Sequence, residues 1–199
     1  MISTRMNALA GLALLATAGS AEASTQGSFG ATSTGSVTIN ASVPARVRIS
    51  GLADVDLTNV DPAVDASVAQ DICVWSNTVT RGYQVTASGS GTGNAFTLAN
   101  GALPEVPYTV EWSGSSGQTS GTPLASGTAL TGQTSTATNS NCASGPASSA
   151  SLIVKVGSTD LQAMPAATTY TGTLWLVVAA RRAGAGSTGV RRGSRTGPG

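Results

Sequence analysis

The sequence predicts an all-β sandwich, and three observations predict it. Seven or so short runs place apolar residues at every second position, the spacing that puts them on one face of a pleated strand. Clusters of Gly, Ser, Asn and Pro separate these runs, supplying turns at intervals typical of antiparallel sheets. No window beyond residue 23 repeats its apolar residues at helical spacing. Composition agrees: charge is only 10%, aromatics 4%, and the 25 Gly and 8 Pro follow no collagen-like period. A disordered chain would need more charge and fewer Val and Ile.

The N-terminus reads as an export signal. Arg5 precedes an 11-residue apolar run, Ala8 to Ala18, and Ala21-Glu22-Ala23 supplies a small-x-small cleavage pattern. Residues 1–23 are therefore expected to leave, so that the mature chain starts at Ser24. The apolar run falls well short of the ~20 residues that span a bilayer.

Residues 24–36 form a polar leader expected to be flexible, with Phe29 its one large apolar residue. Then Val37, Ile39, Ala41 and Val43 alternate with Thr38, Asn40 and Ser42, which predicts a half-buried strand. Pro44 interrupts it, since proline cannot donate to a ladder, and Val47 and Ile49 resume the period with Arg46 and Arg48 facing water. Residues 51–70 hold several acids and no long period. Asp71–Trp75 reads as a buried strand. Asn77 to Gly82 turns the chain into a hairpin partner in which Tyr83, Val85 and Ala87 alternate with Gln84 and Thr86. Further strands are expected at Phe96–Leu98, Tyr108–Trp112 and Leu152–Val156. Residues 113–150 are low-complexity, with Leu130 and Cys142 as anchor points. Thr169–Ala180 is the longest strand candidate, with Tyr170, Leu174, Leu176 and Val178 on one face and Trp175 and Val177 on the other. This strand count fits an immunoglobulin-like sandwich, with a jelly roll or small barrel as the alternative.

Chemistry is sparse. Cys73 and Cys142 are an isolated pair in an exported chain and are expected to form a disulfide. Histidine is absent, which removes the commonest general base and metal ligand. No serine sits in a G-x-S-x-G elbow, and Glu105 and Glu111 are the only glutamates after residue 23. No catalytic residue, metal ligand or cofactor is expected. Asp54, Asp56, Asp61 and Asp65 lack the glycine and terminal glutamate of a calcium loop and read as solvated loop acids. Lys155 reads as pointing outward. Trp75, Trp112, Trp175, Tyr83 and Tyr108 could stack on sugars if exposed together, but their strand positions favour core packing. From Ser24 to Ala180 four basic residues face eight acids, a net charge of −4, whereas residues 181–199 hold five arginines and no acid. That tail is expected to be disordered.

Taken together, SVTINASV, the cysteine strand DICVWSNT, GYQVTASGSG, PYTVEW and the closing YTGTLWLVVA resemble subunits of chaperone–usher fimbriae. Among these the likeness is to the spore-coat-protein-U-like archaic pilins and the alternate colonisation fimbriae. It covers about Val37 to Ala180, and the Y-x-G-x-L-x-L-x-V pattern is its most specific part. Two features depart from that group: 19 residues (181–199) follow Ala180, and Ile49-Ser50-Gly51 carries no cysteine after the N-terminal strand.

The resemblance implies an incomplete immunoglobulin-like fold lacking its last strand. A periplasmic chaperone fills the groove first. The donor strand of an identical or related subunit replaces it at the outer-membrane usher. Val37, Ile39, Ala41 and Val43 would be the donor residues, and Tyr170, Leu174, Leu176 and Val178 the groove edge. Partners would then be other pilin subunits, chaperone, usher and a host or surface receptor, with no nucleic acid. The location would be the periplasm in transit and a cell-surface fimbrium thereafter, in support of adhesion or biofilm. A secreted monomeric carbohydrate-binding or adhesive module is the competing expectation, with Val37–Val43 the first strand of its own sheet.

Overall fold

The computed structural model describes residues 24–181, in two compact units divided between Val43 and Pro44. The expected signal peptide, and the tail beyond Arg181, lie outside the described residues.

In the first unit, Thr25 and Ser36 exchange two backbone hydrogen bonds of 3.0 Å, closing a small loop in the polar leader. Val37–Val43 joins no ladder, and Val37, Ile39 and Val43 are 73%, 86% and 85% exposed. The expectation of a half-buried strand is corrected here. The apolar alternation is present, but nothing in the described chain pairs with it.

The second unit contains strands β1 (Val47–Ser50), β2 (Ala66–Ser76), β3 (Gly82–Gly89), β4 (Thr97–Leu98), β5 (Val106–Pro107), β6 (Thr109–Ser113), β7 (Thr122–Pro123), β8 (Ala129–Thr134), β9 (Ala150–Val156) and β10 (Leu174–Ala180), with one short helix, α1 (Ser158–Ala163). All pairings are antiparallel. A five-stranded sheet runs β1-β2-β9-β6-β7, a three-stranded sheet runs β10-β3-β8, and β4 pairs with β5. One core lies between the two larger sheets. Ile72, Val74, Val110, Trp112, Leu152 and Val154 enter it from the first, Tyr83, Val85 and Ala87 from the second. The Trp112 indole donates to the Tyr83 hydroxyl at 3.2 Å across this interface, so both large rings are buried with their polar atoms satisfied. The fold is the all-β class that the alternation predicts.

Several elements differ from expectation. β3 is not the hairpin partner of β2. Residues 77–81 carry the chain into the other sheet, where β3 pairs with β10 and β8. β2 begins at Ala66, five residues before the expected Asp71, and is the longest strand at 11 residues. β10 spans only Leu174–Ala180, because Gly172 packs against the Thr97 carbonyl and Thr171 bridges to Ala99 instead. Two strands, β7 and β8, stand in the stretch read as low-complexity. The helix α1 (STDLQA) was not signalled, being too short for a period.

The two flanks of the sandwich are unlike. On one, residues 124–128 carry the chain directly from β7 to β8. The Leu124 N–H donates to Val110 O, and the Gly127 N–H to Ala87 O, both at 2.8 Å. On the other flank β1 and β10 lie near one another, each with a single ladder partner.

Candidate functional site

The open flank is the candidate site. β1 pairs only with β2 and β10 only with β3, so each presents one edge of unpaired backbone donors and acceptors. Burial tells the same story. On the central strands the core-facing Ile72, Val74, Tyr83, Val85 and Ala150 are all 0% exposed. On the two edge strands the core-facing Val47, Ile49, Leu174, Leu176 and Val178 pack against that core but remain partly open to solvent, as does Tyr170. The expected groove-edge residues thus share one face along β10 and the segment leading to it. Val47 and Ile49 of β1 complete the wall, and the sequence reading had not assigned them to it. Their signal was the alternation resumed after Pro44.

The remaining expected donor residues, Val37, Ile39, Ala41 and Val43, are all exposed. β10 has seven residues, as does the run Val37–Val43, so the two match in length.

Behind β1, the disulfide is as expected. Cys73 and Cys142 are bonded with a Cα–Cα distance of 6.0 Å, a covalent cross-link suited to an oxidising compartment. Cys73 opposes Ser50 of β1 and packs with Ala137 and Trp75 outside the main core. The bond ties residues 135–149 to the end of β2, where that strand has outrun β9. There, serine hydroxyls replace the missing ladder. The Val74 N–H donates to Ser149 Oγ at 2.9 Å, and the Val74 carbonyl accepts from Ser149 Oγ and Ser135 Oγ. Buried backbone groups must be satisfied, and here two small side chains in a serine-rich stretch do it with three hydrogen bonds.

A second loop lies over the outer face of the five-stranded sheet. Asp71 Oδ1 accepts from Ser151 Oγ at 2.7 Å and from the Gly117 N–H at 2.6 Å, and these bonds hold its carboxyl below the usual carboxylate range. Lys155 points outward as expected and pairs with Glu111 at 2.7 Å. Its hydrogen bond, with a second from the Gly121 N–H, lowers the Glu111 carboxyl. Gly121 is required there, since a Cβ would lie 2.4 Å from the Trp112 carbonyl oxygen.

The acids of residues 54–65 are exposed, and three of them tie down irregular chain or the start of α1. Asp56 accepts from Thr58, Asp61 from the Ala63 N–H, and Asp65 from the Ser158 N–H at the start of α1. Of the five aromatics, Trp112, Tyr83 and Tyr108 are buried and Trp75 is half-buried, in line with core packing. Trp175 is the exception at 51% exposed. A hollow of ≈ 60 Å³ beside β5, α1 and Tyr170 is far below the roughly 300–1,000 Å³ of small-molecule sites. Among the described residues, no helix is long and apolar enough to cross a membrane. No protein-family model matches the chain, and no curated protein matches it.

Proposed function

We propose that this chain is a structural fimbrial subunit with an incomplete immunoglobulin-like sandwich. In this reading it polymerises by accepting a strand from a neighbour into the flank between β1 and β10. The observation that carries the reading is that flank: two adjacent edge strands, each unpaired on one side, with Val47, Ile49, Leu174, Leu176 and Val178 half-covered above a fully buried core. An edge left open beside exposed apolar side chains is an aggregation hazard unless a partner covers it. The exposed alternating run Val37–Val43 has the composition and length to be that partner in another copy. Burying Val37, Ile39 and Val43 would contribute about 1.5–3 kcal/mol each, with ladder hydrogen bonds along β10 in addition. A periplasmic chaperone would hold the flank until an usher exchanges it for the donor, and the assembled fibre would serve adhesion or biofilm.

Deleting Ser24–Val43 tests this. The truncated subunit should still form a soluble complex with its chaperone but fail to extend fibres. Fibres built without those residues, or a stable monomer whose flank is closed by its own chain, would end the proposal.

A further inference from the structure

The two outer faces of the sandwich are treated unequally. Loops bond across the five-stranded sheet on one side, through Asp71, Ser151 and Glu111. On the outer face of β10-β3-β8, Trp175 is 51% and Val177 60% exposed along β10, and Gln84, Thr86 and Ser88 of β3 are half-buried. Beside them in register stand Ser88 and Thr86 of β3, and Gln84 faces Ala179. None of these three strands contains an acid.

The end of β10 adds a cation to the same face. The Arg181 N–H donates to Gly82 O at 3.0 Å, and the Arg181 Cβ lies 3.6 Å from where a Cβ on Gly82 would sit, which fixes its side. Its Nη1 reaches across β3, to 3.8 Å from the equivalent position on Gly132 of β8. Arg81, the residue before β3, stands at that end too and donates to Thr136 O. Among the described residues neither arginine forms an ion pair; the Lys155–Glu111 pair belongs to the other sheet. The sequence then continues with Arg182, Arg191, Arg192 and Arg195 and no acid.

We propose that this face binds an anionic polysaccharide. The Trp175 indole stacks on a pyranose ring, since an exposed aromatic face suits the apolar side of a sugar. Ser88, Thr86 and Gln84 bond the sugar hydroxyls. Arg181 takes a carboxylate or sulfate through its planar fork of donors. Trp175 to Arg181 spans about 20 Å at ~3.3 Å per residue, room for an oligosaccharide rather than one sugar. Charge complementarity selects the acidic class: the three strands contribute no acid, and Arg81 and Arg181 stand at their end. The inference holds whether or not the chain polymerises.

Affinity electrophoresis of the exported, disulfide-bonded full chain through alginate, a polyuronate, tests it. Alginate should retard the protein in a salt-dependent manner and dextran should not. Trp175→Ala should weaken retention at least tenfold, and Trp175→Tyr, which keeps a ring, should restore it to within about threefold. Arg181→Gln should weaken retention and flatten its salt dependence, whereas Arg48→Gln on the other sheet should change nothing. Near-UV circular dichroism establishes that each variant is folded, and Arg181→Gln supplies an arm that does not depend on Trp175 packing. The proposal is overturned if dextran retards equally, or if Trp175→Ala binds like the parent. It is equally overturned if replacing Arg182, Arg191, Arg192 and Arg195 by Gln abolishes retention while Trp175 is intact. DNA displacing the protein from alginate at lower charge-equivalent concentration would make nucleic acid the ligand and overturn it too.

Discussion

Replacing Ile39 by Ala separates assembly from stability, because Ile39 is 86% exposed in the chain that carries it. An exposed side chain that touches nothing changes folding stability by no more than ~0.5 kcal/mol. The same side chain buried between β1 and β10 of another copy would lose three methyl or methylene groups at ~0.8 kcal/mol each, about 2.4 kcal/mol. That is about 60-fold in affinity, and more if the groove cannot collapse around the smaller residue. Asn40, next along the run, would face away from the groove, so Asn40→Ala should shift affinity by less than about twofold, the ~0.5 kcal/mol of a surface change. The assay is competition between peptides spanning Ser36–Pro44 for the flank of the chaperone-released subunit, followed by fluorescence anisotropy. Thermal unfolding of the matching full-length variants provides the stability arm. Equal effects at positions 39 and 40, or an Ile39→Ala peptide as tight as the parent, would refute the alternating-pocket reasoning.

Other outcomes follow from the geometry. Reducing the disulfide, or replacing Cys73 and Cys142 by Ser, should cost about 4 kcal/mol for a 69-residue separation, read as a drop in the urea midpoint. Ser149→Ala leaves the buried Val74 N–H without its acceptor and should cost about 1–3 kcal/mol by the same measurement. The Glu111 carboxyl is lowered, foremost by its bond from Lys155, and that of Asp71 foremost by its bond from Ser151. Folded-state values below the unfolded ones mean that these groups stabilise the protein above the ordinary carboxylate range, and that their contribution is lost as pH falls through the depressed values. Denaturant midpoints measured through the acid range should therefore decline toward low pH, and Glu111→Gln with Asp71→Asn should flatten that decline.

What could be read from the sequence depended on side-chain size. Strands β3, β6, β9 and β10 announced themselves because Tyr83, Val110, Trp112, Val154 and Leu176 are large enough to make the period of two visible. The start of β2 and all of β8 were hidden, since ASVAQD and ALTGQT hold one large apolar residue each. Such segments become strands because neighbours offer a ladder, which is tertiary context rather than local preference. The same limit explains the misplaced partner of β3: alternation assigns a face, and which sheet receives a strand is decided by non-local pairing. For the site, the sequence displayed the facing residues of β10 and the unclaimed run Val37–Val43. The contribution of Val47 and Ile49, and the adjacency of the two free edges, required three dimensions. Trp175 went the other way: its strand position suggested interior packing, yet it lies on the face of β10 turned away from the core and is 51% exposed.

The short crossing at residues 124–128 has a mechanical meaning. The backbone joins the two sheets at residues 124–128 between β7 and β8, as it does at residues 77–81 between β2 and β3, whereas no ladder joins β1 to β10. A strand seated between them would clasp the two sheets on that side as the crossings do elsewhere, with hydrogen bonds in place of covalent chain.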